Sequence, residues 1–100
     1  MKLGFFVTNQ YLPGESMSKK IAESVEQVQA AHEAGFDLIY TGQHYLAAPY
    51  QMSTSLHLLA RLAAEAGNME IGATVILVPL HNPVLHSPFL DDLVSLFVAF

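Results

Sequence analysis

Three polar segments of the sequence carry side chains that could do chemistry, and each follows an apolar run. They contain Asn9 and Gln10, then His44, then His81 and Asn82. An imidazole can accept or donate a proton near neutral pH, and side-chain amides can orient a bound molecule through hydrogen bonds. These residue types suit proton transfer beside a small ligand, provided that the fold brings the three segments together.

The apolar runs are predicted to be parallel β-strands joined by α-helices. Strands are expected at residues 3–7 and 36–41 and within 69–78, and helices at residues 18–34 and about 54–66. Because each helix connects two successive strands, a parallel sheet with right-handed crossovers is the expected α/β arrangement. The carboxyl ends of parallel strands meet at one edge, so the three polar segments are predicted to share one rim.

The predicted helices have apolar faces and recognisable ends. Ser16 or Ser18 can cap the first helix, and Gly35 stands where a left-handed residue commonly ends a helix. The apolar residues of the first helix are Ile21, Val25, Val28 and Ala31. Those of the second are Leu56, Leu59, Ala60 and Ala63. Segments 9–16 and 42–53 are predicted to be loops, and the first strand, residues 3–7, is expected to be buried on both faces.

Residues 88–100 are predicted to form a third helix, with Ser87 as its N-cap. Apolar side chains lie on most sides of this helix, and Asp91 and Asp92 are its only charged residues. A helix of this kind is normally buried. We therefore expect residues 1–100 to be one partial domain of a larger fold, or a homo-oligomer.

The composition excludes several classes of function. The 100 residues are 52% hydrophobic and 13% charged, with a net charge of −5. The basic residues Lys2, Lys19, Lys20 and Arg61 form no patch for phosphate groups, so nucleic acid is not an expected partner. The absence of cysteine favours a cytoplasmic location. No apolar stretch is continuous enough to predict a membrane-spanning helix, so we expect no membrane partner.

Common cofactor and metal motifs are missing from the sequence. The six glycines form no Gly-x-Gly-x-x-Gly motif, so a dinucleotide site at the first turn is not supported. His81 and His86 are five positions apart with Pro83 between them, so no metal site is expected. His81 and Asn82 are better explained as turn residues. The strand-end position of His44 is consistent with a functional site and equally with an ordinary solvated loop.

Three segments resemble those of a known family. Residues 32–45, HEAGFDLIYTGQHY, resemble the second-strand signature of the bacterial-luciferase-like flavin monooxygenases. Residues 68–84 resemble the third strand of that family and the loop after it, and residues 2–6 are similar to its first strand. The likeness covers residues 1–84, with the segments in the same order.

The resemblance implies a (β/α)8, or TIM, barrel that holds reduced FMN, or alternatively a deazaflavin, at its carboxyl-terminal rim. Members commonly oxidise a small organic substrate with molecular oxygen, whereas the deazaflavin branch transfers hydride. By the same resemblance, His44 is the catalytic residue that faces flavin and substrate. Ala73, Thr74 and Val75 match the cofactor-binding stretch that lies against the isoalloxazine ring. Gln43 departs from the family, where an acidic residue is common.

Residues 85–100 depart from the family pattern, which usually continues with an arginine and an acidic helix. Later strands supply most of the flavin phosphate site, and no Lys or Arg follows Arg61 in this chain. Since such a barrel needs about 250 residues, we expect the chain alone to be inactive without the rest of the barrel. The alternatives are a non-catalytic truncated fragment that self-associates, and a barrel enzyme of another chemistry.

Overall fold

The computed structural model describes residues 1–44, 46–74 and 82. In chain order the elements are β1 (Gly4–Phe6), β2 (Gln10–Tyr11), α1 (Met17–Glu33), β3 (Leu38–Thr41), β4 (Gln51–Met52), α2 (Ser55–Ala63) and β5 (Glu70–Ala73). The helix predicted at residues 88–100 lies outside the described residues.

Three of the strands form a parallel sheet in the order β1-β3-β5. Phe5 of β1 lies opposite Ile39 of β3, which in turn lies opposite Ile71 of β5. Helix α1 connects β1 to β3, and α2 connects β3 to β5. The predicted β-α-β-α-β order and the parallel sheet are confirmed. This mixed α/β unit is compatible with the start of a (β/α)8 barrel.

The core lies between this sheet and the two helices. Val7 and Ile39 from the sheet side cluster with Val28 of α1 and Leu62 of α2, and all four are inaccessible to solvent. Burying a side chain of this size stabilises a fold by roughly 1.5–3 kcal/mol relative to leaving it exposed. Packing of these apolar faces therefore holds both helices on one side of the sheet.

The ends of α1 agree with the sequence prediction to within a residue. The Ser16 hydroxyl accepts a hydrogen bond from the Lys19 N–H at 3.5 Å, and Gly35 has the left-handed φ of 84°. Helix α2 ends earlier than predicted, and its buried face is wider because Leu58 and Leu62 also lie in it. No helix in the described ranges is long and apolar enough to cross a membrane.

Strands β2 and β4 form a small antiparallel sheet inside segments that were predicted to be loops. Strands of two residues carry no alternating pattern, so the sequence gives no local sign of them. Tyr11 lies opposite Gln51, and the Gln51 Nε2 donates to the Leu12 and Glu15 carbonyls at 2.8 and 3.0 Å. Contacts between distant parts of the chain therefore stabilise the pairing of β2 with β4, which local β-propensity does not predict.

The sheet face opposite the helices is open within the described part of the chain. Phe6 of β1 and Tyr40 of β3 share this face, and their rings meet edge to face with centroids 5.2 Å apart. Phe6 remains 46% exposed. The prediction that the first strand is buried on both faces therefore holds for the helix side of β1 only, as far as residues 1–44 and 46–74 extend.

Candidate functional site

The three parallel strands end at one rim, where hydrogen bonds join their ends. The Thr41 hydroxyl, at the end of β3, is fully buried and donates to the Val7 carbonyl at 2.8 Å. The Thr74 N–H, just after β5, donates to the Thr41 carbonyl at 2.9 Å. The three strand ends are thus adjacent, as the parallel order predicts.

Asn9 follows β1 at this rim and is only 3% exposed. Its Nδ2 donates to the Ser53 carbonyl at 2.6 Å and, at 3.4 Å, to the Gly42 carbonyl. Its Oδ1 accepts from the Ser53 N–H at 3.0 Å and also from the Ser53 hydroxyl. The buried Asn9 amide therefore binds both ends of the loop 42–53. Its donor and its acceptor atoms are both hydrogen-bonded, as is usual for a buried polar group.

Gln43 fastens the same loop to α2. Its Oε1 accepts from the Ser55 N–H at 3.1 Å and from the Ser55 hydroxyl at 3.0 Å. Thr54 is the N-cap residue by position but makes no side-chain capping bond. The first N–H groups of a helix need partners outside it, and Gln43 supplies one from 12 positions away.

His44 follows Gln43 directly, and the structure places it exposed at the rim. Within the described residues no hydrogen bond engages its side chain. An exposed imidazole that is not engaged can exchange a proton with water or with a bound molecule. Its location at the carboxyl edge of the sheet agrees with the sequence analysis, and its catalytic role stays a prediction.

Gly42 allows the backbone of the rim to come close together. A Cβ added at Gly42 would lie 2.8 Å from the Thr74 carbonyl oxygen and 3.7 Å from the Phe6 ring. Thr74 is exposed and Phe6 is half-exposed. An aromatic ring and the exposed residue Thr74 therefore both lie close to a position without a side chain. This combination fits a flat, conjugated ring such as that of a flavin.

Three of the four basic side chains are engaged by carboxylates. The pairs are Lys2–Glu70 at 2.8 Å, Lys20–Glu15 at 3.2 Å and Arg61–Glu65 at 3.0 Å. The fourth, Lys19, is exposed on the first turn of α1. The described residues therefore fit the ring of a flavin better than its phosphate, for which a cation is the usual partner.

A separate polar cavity of about 250 Å³ lies between β2 and α1. Lys20 lies there between the Glu23 and Glu15 carboxylates, at 3.1 and 3.2 Å, and both raise its pKa. The Leu12 N–H and then the Lys20 ammonium lower the pKa of Glu15. The ionised groups of this cavity already have one another as partners.

Some of the remaining predicted site residues are described by the structure and others are not. Ala73 is half-buried at the end of β5, and Thr74 lies beside it at the rim. Val75, His81 and His86 lie outside the described residues, and Asn82 is exposed. Among the described residues, no group of three or more His, Asp or Glu side chains is arranged to hold a metal ion.

Sequence reasoning placed Asn9 at the rim and named Gln43 only as a departure from the family pattern, and it missed the partners of both. Ser53 and Ser55 lie 44 and 12 positions further along the chain, respectively. The helix start at Thr54 and Ser55 was visible in the sequence, but no spacing rule joins a capping glutamine to a helix that far away. These contacts depend on the closed loop and not on local sequence.

A sequence profile of the luciferase-like monooxygenases matches residues 1–86. The matched range contains all three parallel strands, the segment 32–45 and the rim residues His44 and Thr74. No curated protein gives a match. Proteins of this family generally use a flavin or deazaflavin and act on a small molecule. Because the profile covers most of its length, the chain belongs to the luciferase-like monooxygenase family.

Proposed function

We propose that the chain is part of a flavin-dependent monooxygenase that uses reduced FMN and molecular oxygen to oxidise a small organic substrate. One observation carries the proposal: exposed His44 and exposed Thr74 reach the same rim, beside the half-exposed ring of Phe6. In parallel α/β folds, ligands bind at the carboxyl ends of the strands. In this proposal residues 1–100 are one partial domain of a (β/α)8 barrel in the cytoplasm.

Each part of the rim has its own task in the proposed reaction. The Phe6 ring offers apolar surface to a flat cofactor, and the backbone of Thr74 borders it. His44 holds or moves a proton at an imidazole nitrogen near the reacting atoms. When bound, the reduced flavin would supply the two electrons that reduce molecular oxygen, so that one oxygen atom enters the substrate and the other leaves as water. The protein contributes the position of the ring, the proton carrier and the exclusion of water.

A deazaflavin that transfers hydride is the alternative cofactor. Both cofactors present a similar flat ring, so the Phe6 and Thr74 surfaces fit either one. The two chemistries differ in their need for molecular oxygen. Oxygen consumption that depends on substrate supports the FMN reaction, and oxygen-independent reduction of substrate supports the deazaflavin reaction.

The experiment that tests the proposal is a titration of the purified 100-residue chain with FMN, followed by flavin fluorescence. We expect saturable binding, with His44→Ala changing the FMN affinity by less than about threefold because an imidazole at the reacting centre adds little to ground-state binding. The matched control is His32→Ala, because His32 lies in the last turn of α1 and not at the rim. Absence of saturable binding by the wild-type chain would contradict a flavin site in these residues.

The open sheet face supports a second candidate, a non-catalytic chain that self-associates into a homo-oligomer. Phe6 on this face is 46% exposed, and unpaired apolar strands tend to find partners. Sedimentation velocity over a wide range of concentrations tests this candidate. A monomer whose mass does not change with concentration would contradict it.

A further inference from the structure

We propose that Asn9 and Gln43 are positioning residues for His44, because they fasten the loop 42–53 at its base and so fix where the imidazole stands. The inference rests on the proposed function of His44. We call the two amides and their partners, Ser53 and Ser55, the loop clasp.

The Asn9 half of the clasp extends the pairing of β2 with β4 by one residue pair. The register pairs Gln10 with Met52, so Asn9 lies opposite Ser53. At this step the Asn9 side-chain amide makes two hydrogen bonds to the Ser53 backbone, to its N–H at 3.0 Å and its carbonyl at 2.6 Å. Because Asn9 is buried, water competes poorly for these bonds.

The Gln43 half of the clasp fixes the residue directly before His44. Its Oε1 holds the first turn of α2 through Ser55, which is 1% exposed. Helix α2 is anchored in turn by the fully buried Leu62. The backbone on the amino-terminal side of His44 is therefore tied to a packed element.

His44 depends on this arrangement because none of the described residues holds its imidazole directly. A functional side chain needs support from neighbours whose own positions are locked. Here the support acts through the backbone, since Gly42 and Gln43 are both fastened while the ring stays open to a ligand. Neither amide needs to touch flavin or substrate to do this.

Hydrogen exchange and NMR of the full chain, without flavin, test the proposal. We expect Asn9→Ala and Gln43→Ala each to speed amide exchange in residues 46–53 by about tenfold, because each loses hydrogen bonds that close the loop. The His44 ring signals should move in the same two variants. Gln43→Glu keeps both acceptor bonds to Ser55, so its exchange should stay within about twofold of wild type.

The control variant is Gln29→Ala, which removes a surface amide bond to Glu65 at 2.9 Å and should leave the loop unchanged. If Asn9→Ala does not fold, the comparison of Gln43→Ala with Gln43→Glu decides the question. Unchanged loop exchange and unchanged His44 signals in a folded Gln43→Ala variant would overturn the proposal.

A parallel FMN titration separates this inference from the proposed function. Faster amide exchange in the loop, together with an FMN Kd raised about fivefold in the alanine variants, supports both the proposed function and the positioning role. The Kd rises because a rim that has become more mobile must be ordered again on binding. Faster amide exchange in the loop of a chain whose wild type binds no FMN refutes a flavin site in these residues, while the positioning of His44 by the clasp stands.

Discussion

The carbonyl oxygen of Thr74 lies 2.8 Å from the point that a Cβ on Gly42 would occupy. This approach brings the end of β5 against the start of the loop that carries His44. The hydrogen bond from the Thr74 N–H to the Thr41 carbonyl, at 2.9 Å, holds the same segment to β3. The rim is therefore a packed backbone surface that requires glycine at position 42.

Replacing Gly42 by alanine should weaken flavin binding. The added methyl group must displace the Thr74 carbonyl, and with it the backbone that borders the proposed ring site. We expect the FMN Kd to rise about tenfold, which corresponds to about 1.4 kcal/mol. Fluorescence titration measures the effect. Gly72→Ala is the control, because its Cβ would make an ordinary 3.8 Å contact with Tyr40, and an equal loss in both variants would argue against the special role of Gly42.

Replacing Thr41 by valine should destabilise the fold. The substitution keeps the shape of the side chain but removes the buried hydroxyl that donates to the Val7 carbonyl at 2.8 Å. We expect the free energy of unfolding to fall by about 1–3 kcal/mol. Urea denaturation measures this change, with Thr8→Val as the control because Thr8 is exposed. Equal stability of the Thr41 variant and wild type would show that the bond contributes nothing.

Riboflavin should bind almost as tightly as FMN. Three of the four basic side chains are paired with carboxylates, and the chain carries a net charge of −5, which opposes a phosphate dianion. We expect the two dissociation constants to agree within about fivefold, because one exposed charge contributes at most about 1 kcal/mol. Titrations with both flavins in the same buffer test this. Much tighter binding of FMN would reveal a phosphate site in this chain.

The stability of the chain should depend on pH through Glu15. The Leu12 N–H and the Lys20 ammonium hold the pKa of Glu15 below its ordinary value of 4.5 in the folded chain. Ionised Glu15 therefore stabilises the fold above that pH, and the contribution is lost as the pH falls through the lower folded pKa. We expect Glu15→Gln to be less stable than wild type at pH 6, with the difference closing toward pH 3.

Urea midpoints of both chains across this pH range measure the effect, and Glu26→Gln on the exposed side of α1 is the control. A difference between Glu15→Gln and wild type that widens on acidification would contradict the assignment.

Much of the fold could be predicted because local signals and burial agree. Val28 and Ala31 repeat at helical spacing and are buried, while Gly35 ends α1 in the left-handed conformation that the sequence indicates. The parallel sheet followed from the alternation of strands and helices. The same reasoning placed Asn9 and His44 at one edge, where the structure has them.

The contacts that organise the rim could not be predicted, because they join residues far apart in sequence. Asn9 selects Ser53 across 44 positions, and nothing local distinguishes that serine from its neighbours. The pairing of Tyr11 with Gln51 likewise has no periodic signal in two-residue strands. Such contacts depend on how the loop closes, which is a property of the whole fold.

The most direct test of the central claim is an amide NMR titration of the full chain with FMN. We expect saturable shifts concentrated at Gly42, His44 and Thr74, with little change near Ala30 in the last turn of α1. Saturable shifts centred on Ala30, or no saturable shift anywhere, would contradict a flavin site at the carboxyl rim of the sheet.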